Sequence, residues 1–357
     1  MATDVAMAHP RGSHVLMRAW WFAAVLALVS AGAARPVEAA DTVVDANAAS
    51  SPTAEGDRLF SAIVKVRTRA VPGARSSASL GAEREGTGIV IGADGLILTI
   101  GYLIVEADEV NVVDHRGRTL PAKVVGYDHP TGLGLLRTIV PAHLAPVALG
   151  ESGKVQERDP VMIVNHGGRD DIGLAFVVSR RPFTANWEYA LEQAIFTSPP
   201  TRNWSGAALI GRDGRLLGVG SLIVRDAVTG DTTLPGNMFV PIDLLKPVLD
   251  DLVKTGRRPG PARPWLGLNA DEVQGRLFVG RVSPEGPADL AGIQAGDIIL
   301  GVGQAGIHTQ GEFYSRVWSS GAAGIDIPLR ILHDLDVREV KVHSIDRLDY
   351  FRPRTLY

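Results

Sequence analysis

Turn signals at short, even spacing constrain this chain more than any other feature. The stretch Gly88-Ile89-Val90-Ile91-Gly92-Ala93-Asp94-Gly95-Leu96-Ile97-Leu98-Thr99 is two apolar runs joined by Asp-Gly, a dipeptide suited to the positive-φ backbone of a tight hairpin. The same grammar returns at Glu109 to Val113, Arg116-Gly117 and Leu120 to Val125, and again at Ala208 to Ile210, Asp213-Gly214 and Leu216 to Val219. An apolar alternation between Leu59 and Arg69 predicts a first strand, and the Gly/Ser/Ala-rich stretch from Pro72 to Gly86 predicts a surface loop. Strands recurring this way through about residue 224 point to a barrel or sandwich rather than a βαβ fold. Forty glycines and 22 prolines in 357 residues supply the turns, and the length suits two or three folding units.

Charge and cysteine usage exclude several functions. A net charge of −3, from 36 basic and 39 acidic side chains that are well mixed, offers no footprint for nucleic acid or an anionic membrane. The chain has no cysteine, so disulfides and thiolate metal sites are impossible; no His/Glu spacing suggests zinc, and no cofactor or metal is implied. At the N-terminus, Arg11, His14 and Arg18 precede an apolar run from Ala19 to Val29, and small residues Val37 and Ala39 occupy the specificity positions of a cleavage site. Residues 1–39 therefore read as a signal peptide, with an apolar run shorter than the about 20 residues of a spanning helix. Residues 40–56, rich in Ala, Ser, Thr and Asp, read as a flexible mature N-terminus.

After Val240-Pro241-Ile242-Asp243, the spacing of Leu244, Leu245, Val248, Leu249, Leu252 and Val253 predicts an amphipathic helix closed by Lys254 and Gly256. The Pro/Gly-dense stretch with Arg257 and Arg258 then marks a linker. The predicted division is a barrel domain over 57–255, a linker over 256–263, a second domain over 264–346 and a tail over 347–357.

Several motifs in order resemble the HtrA/Deg serine proteases. They are Gly86-Thr87-Gly88 before the first hairpin, Ala107-Asp108-Glu109-Val110, Leu120-Pro121-Ala122-Lys123-Val124-Val125-Gly126, Asn203-Trp204-Ser205-Gly206, and Phe239-Val240-Pro241-Ile242-Asp243. Trp265-Leu266-Gly267-Leu268, with Ser283-Pro284-Glu285-Gly286-Pro287-Ala288 and Ala291-Gly292-Ile293-Gln294-Ala295-Gly296-Asp297-Ile298-Ile299, is similar to that family's PDZ module. The resemblance implies a mainly β chain: a chymotrypsin/trypsin-like double six-stranded β-barrel followed by a PDZ domain, a small β-sandwich with helices, in a periplasmic or secreted bacterial protein.

The same resemblance implies a degenerate catalytic triad. Ser205 holds the nucleophile position, but Tyr102 stands at the histidine position and Gly132 at the aspartate position. A phenol with a pKa near ~10 is a poor general base at neutral pH, and Gly132 has no carboxylate to orient one. In the oxyanion-hole region, Asn203 and Trp204 replace the family's Gly-Asn before Ser205. The histidines that could replace the base, His115, His129, His143 and His166, read as solvated or satisfied, and Asp128 reads as a turn residue. The PDZ residues Trp265, Leu266, Gly267 and Leu268 retain the loop chemistry for capturing a peptide carboxylate. The expectation is an exported pseudoprotease that binds peptides or unfolded proteins, chaperone-like or regulatory, as a homotrimer or with an active paralogue. The alternative is an active endopeptidase in protein quality control, using Ser205 with an unusual base.

Overall fold

The computed structural model describes residues 52–184, 189–231 and 233–351, so the expected signal peptide and residues 40–51 lie outside the described residues. Strands β1 Ile63–Ala70, β2 Glu83–Val90, β3 Leu96–Ile100, β4 Ala107–Val113, β5 Thr119–Asp128 and β6 Leu133–Thr138 close a barrel in the order β1-β2-β3-β6-β5-β4. Alternation dictates this: in β1, Val64, Val66 and Thr68 are buried while Arg67 and Arg69 are exposed. Closing the sheet on itself then removes its exposed edges.

Two expectations are corrected at this end of the chain. Leu59 to Ser61 belong to helix α1 (Pro52–Ser61), so the first strand starts later and residues 52–56 are helical rather than flexible. Leu59 and Phe60 pack against the barrel core, an arrangement that the apolar spacing serves as well in a helix as in a strand. The predicted loop between Pro72 and Gly86 contains helix α2 (Ser77–Leu80) and the start of β2. It is held by the buried Glu106 carboxylate, which accepts the Arg75 and Ser76 amides at 3.1 and 2.7 Å.

Strands β7 Pro160–Val164, β8 Ile172–Thr184, β9 Ala190–Ser198, β10 Ala208–Ile210, β11 Leu216–Val224 and β12 Gly236–Pro241 close the second barrel in the order β10-β11-β12-β9-β8-β7. Phe196 and Phe239 are fully buried in it, and burial of a side chain this large contributes roughly 1.5–3 kcal/mol. The following helix is shorter than the apolar stripe suggests: two 3-10 turns, Ile242–Leu244 and Lys246–Val248, precede helix α3 (Leu249–Thr255). Pro247 is the reason, because it lacks the N–H that an α-helix would aim at residue 243, so regular helix begins only after it.

The C-terminal domain is a sheet with its own apolar core. Its strands are β13 Leu268–Val273, β14 Arg276–Val282, β15 Ile298–Val302, β16 Ala305–Gly306, β17 Asp326–His333 and β18 Asp336–His343. They run in the order β13-β14-β15-β17-β18, with β16 paired to β15, so β13 is an edge. Helices α4 (Pro287–Leu290) and α5 (Gln310–Ser319) accompany the sheet. A capping box starts α5: the Thr309 hydroxyl accepts the Glu312 amide at 3.1 Å, and the Glu312 carboxylate accepts the Thr309 amide at 3.4 Å. Such a cap contributes about 1 kcal/mol.

Residues 347–350, expected in a tail, form helix α6 (Arg347–Tyr350). Tyr350 packs its ring 4.5 Å from Trp265 and donates its hydroxyl to the Pro284 carbonyl at 2.9 Å. The linker is also more than a spacer. Arg258 forks onto the buried Asp128 through two bonds of 2.8 Å, and Arg257 lies 3.6 Å from Asp346. Its two arginines thus tie the first barrel on one side and the C-terminal domain on the other.

Candidate functional site

Ser205 lies between β9 and β10 where the barrels meet. Its carbonyl accepts the Thr87 amide at 2.8 Å, and the Gly206 amide donates to the Gly220 carbonyl at 2.9 Å. Gly206 has φ +75°, and a Cβ there would stand 2.1 Å from the Thr87 carbonyl oxygen, so only glycine lets the loop approach β2 this closely. The exposed Asn203 donates from its side-chain amide to Asp171 at 2.5 Å, which pins the residue to the turn between β7 and β8. The Ser205 hydroxyl is buried and, among the described residues, meets no hydrogen-bond partner in good geometry, although it lies near enough to the Tyr102 phenol to influence it. Without a base beside it, a serine hydroxyl stays a weak nucleophile.

Tyr102 is in the 3-10 turn that leaves β3, one residue after Gly101, whose amide donates to the Gly132 carbonyl at 2.7 Å. The Tyr102 phenol donates to the Ser221 carbonyl at 2.9 Å. Burial pushes its pKa up to about 12, against the opposing influence of the Ser205 and Trp204 side chains beside it. A phenol so placed holds its proton and cannot take one from Ser205 at neutral pH.

Gly132 has φ +75°, and a Cβ added there would meet the Tyr189 ring at 3.2 Å. The Tyr189 ring therefore occupies the space toward which a side chain at 132 would project. Its hydroxyl lies 2.6 Å from Ser221 Oγ, and burial raises its pKa. Ser221 thus engages Tyr102 through its carbonyl and Tyr189 through its hydroxyl. The sequence singles out Tyr102 and Gly132 but not Tyr189 and Ser221, whose residue types and spacing match no catalytic pattern. The available signal was indirect: a tyrosine at an inter-barrel seam needs a polar partner for its hydroxyl.

The candidate substitute bases sit elsewhere. His166 Nδ1 is 3.0 Å from the Thr87 hydroxyl, the His166 amide donates to that same hydroxyl at 3.1 Å, and Nε2 is 3.5 Å from Glu85. Burial lowers the His166 pKa, and Thr87 is itself wholly buried. His115 and His143 are exposed. His129 departs from the expectation of a solvated or satisfied histidine: it lies 4.0 Å from the Tyr127 ring and stacks 6.0 Å from Phe351, with both ring nitrogens buried and unpartnered. Asp128 is more than a turn residue, since it is fully buried and also accepts the Thr131 hydroxyl at 2.5 Å.

In the C-terminal domain, the Leu266 and Gly267 carbonyls accept the Ala288 and Ser283 amides at 2.8 and 2.7 Å, which fixes the loop that leads into β13. Trp265, Leu266 and Leu268 are 4%, 3% and 1% exposed. Leu266 and Leu268 face Phe313, Tyr314, Val317 and Trp318 of α5 across a crevice too narrow to admit a water molecule. Tyr314 and Trp318 stack at 5.4 Å across that floor. Strand β13 ends the sheet, with its Ala270 carbonyl accepting the Gln310 side-chain amide at 2.6 Å, and the apolar floor beside it is closed.

Comparisons with known proteins agree with this architecture. Residues 86–219 match the family described as trypsin-like peptidase domain, and residues 264–343 match the PDZ domain family. The chain is 26% identical over 272 residues to the periplasmic pH-dependent serine endoprotease DegQ of Escherichia coli, covering 72% of this chain and 58% of that protein. It is 30% identical over 233 residues to the serine endoprotease DegS of Haemophilus influenzae, covering 60% of this chain and 64% of that protein. The match thus spans about three fifths of these relatives' lengths. The solved structure of the HtrA-type protease AlgW with a decapeptide superposes with a TM-score of 0.50 at 20% identity, covering 84% of this chain and 98% of that one, a likeness of fold.

Proposed function

We propose that this chain, which belongs to the HtrA family of trypsin-like serine proteases and carries one PDZ domain, is a periplasmic pseudoprotease that binds peptides or unfolded proteins. The observation that carries this reading is the Tyr102–Ser221–Tyr189 cluster, with Tyr102 at the position assigned to the triad histidine and Tyr189 packed beside Gly132 at that assigned to the aspartate. Acyl transfer to serine needs a base that takes the hydroxyl proton and a carboxylate that holds that base in the right tautomer. Here the group beside Ser205 is a high-pKa phenol engaged with a backbone carbonyl, and the space next to Gly132 is filled by a second phenol. The histidine that best resembles a base, His166, is engaged with Thr87.

Binding is assigned to the PDZ domain. The β13 edge offers main-chain groups to an added peptide strand, and the loop at Trp265, Leu266, Gly267 and Leu268 precedes it as a carboxylate-binding loop would. A peptide side chain that enters the closed floor must part Tyr314 and Trp318 from the strand, so affinity depends on that rearrangement. A chaperone-like or regulatory role, alone or within a homotrimer or an assembly with an active paralogue, follows from binding without cleavage.

Incubation with unfolded casein tests the reading. Casein is expected to be retained intact, retention is expected to survive Ser205→Ala, and Gly267→Glu is expected to abolish it in a variant whose circular dichroism remains native. Cleavage that disappears in Ser205→Ala would overturn the proposal and favour the active endopeptidase.

A further inference from the structure

Between the first barrel, the linker and the PDZ domain lies a pocket of about 150 Å³. His129 lines it from the turn after β5, Trp265 from the start of the PDZ domain, and Trp318 from the end of α5. Among the described residues, three polar atoms of His129 and Trp265 are buried without a hydrogen-bond partner: His129 Nδ1, His129 Nε2 and Trp265 Nε1. Folded proteins leave few such groups, and three along one pocket mark a place where a ligand supplies the missing partner.

The charges around the pocket define that ligand further. Four guanidinium groups line it, against the two carboxylates of Asp128 and Asp346. Arg258 is engaged by Asp128 and Arg257 lies near Asp346, whereas Arg263 holds its guanidinium over the Trp318 ring at 4.5 Å and makes no ion pair among the described residues. Burial together with Arg347 and Arg257 holds His129 neutral at neutral pH, so its imidazole offers one N–H, as the Trp265 indole does. Two N–H donors and a cation lining one pocket suit the two oxygens of a carboxylate. The remaining walls, from Pro130, Pro259, Pro261, Pro264 and the indoles, are apolar.

We propose that this pocket is a binding site for a compact organic carboxylate. Its apolar body lies against Trp318 and the linker prolines, and its oxygens accept the N–H groups of His129 and Trp265 beside Arg263. Such a ligand joins the barrel to the PDZ domain and clamps the linker. The site is separate from Ser205 and stands whether or not that serine is active.

Isothermal titration of the purified protein with benzoate tests the assignment, using benzamide as the uncharged analogue of the same shape and inorganic phosphate as the anion without an apolar body. Benzoate is expected to bind saturably and about tenfold more tightly than either control. Arg263→Ala, which alters an exposed side chain, is expected to weaken benzoate about fivefold. His129→Phe is expected to abolish binding by filling the pocket. Absence of benzoate binding, benzamide or phosphate binding as tight as benzoate, or unchanged benzoate affinity in Arg263→Ala would each overturn the proposal.

Discussion

The inter-barrel cleft and the pocket under the linker are both lined by aromatic and polar side chains, but they treat their polar groups in opposite ways. In the cleft, Tyr102 and Tyr189 both find partners on Ser221, and bulky rings fill the room around Gly132. Under the linker, His129 and Trp265 bury nitrogens with no partner at all. A buried polar group without a partner costs about 1–3 kcal/mol; the cleft carries one such group, the Ser205 hydroxyl, beside its two partnered phenols, whereas the pocket carries the two nitrogens of His129 and that of Trp265. On the proposed readings, the first is a site whose chemistry is packed away and the second one that takes a ligand.

Substitutions can break or sharpen this contrast, and the largest effect is expected in the cleft. Tyr189→Ala removes a large buried side chain and its hydrogen bond to Ser221, and should lower unfolding stability by about 3–5 kcal/mol in urea titrations. A loss below about 1 kcal/mol would mean that the ring is not part of a packed cluster. Next comes Asp128→Asn, which leaves Arg258 without its charged partner in a pair that is buried on the aspartate side. A loss of about 2–3 kcal/mol is expected, less than for a fully buried pair because Arg258 is partly exposed. An unchanged denaturation midpoint would show that the linker is not tied to the barrel through this pair.

The pocket under the linker should reveal itself through pH. Burial and neighbouring arginines hold the folded His129 pKa well below its ordinary value of 6.5. Below about pH 6.5 the unfolded chain therefore binds a proton that the folded chain does not, and stability falls as the medium is acidified. His129→Phe should flatten that fall between pH 7 and pH 5, as measured by thermal denaturation; parallel curves for the two proteins would contradict the burial of a neutral imidazole. The smallest effect is expected at the rim. Arg75→Ala loses an exposed ion pair of 2.7 Å with Glu285 and a contact over Tyr350, and should cost at most about 1 kcal/mol.

Much of the fold could be read from the chain, because hairpin turns and alternating apolar residues are local signals. Asp94-Gly95, Arg116-Gly117 and Asp213-Gly214 each fall between paired strands, as their residue types require. Errors arose where one pattern serves two structures, as at Leu59 and Phe60, or where a single residue interrupts a pattern, as Pro247 does. The site was half legible: Ser205, Tyr102 and Gly132 stand at positions marked by their flanking motifs, but Tyr189 is distant in sequence and only the closed barrels bring it to Gly132. The roles of His129 and Trp265 were hidden for the same reason, since an unpartnered nitrogen is a property of the assembled surroundings.

The central claim is that Ser205 has no activating base, and labelling with a serine-directed fluorophosphonate tests it most directly. The purified protein should remain unlabelled at neutral pH, indistinguishable from Ser205→Ala. Stoichiometric labelling that vanishes in Ser205→Ala would contradict the account and mean that a group other than Tyr102 activates the serine.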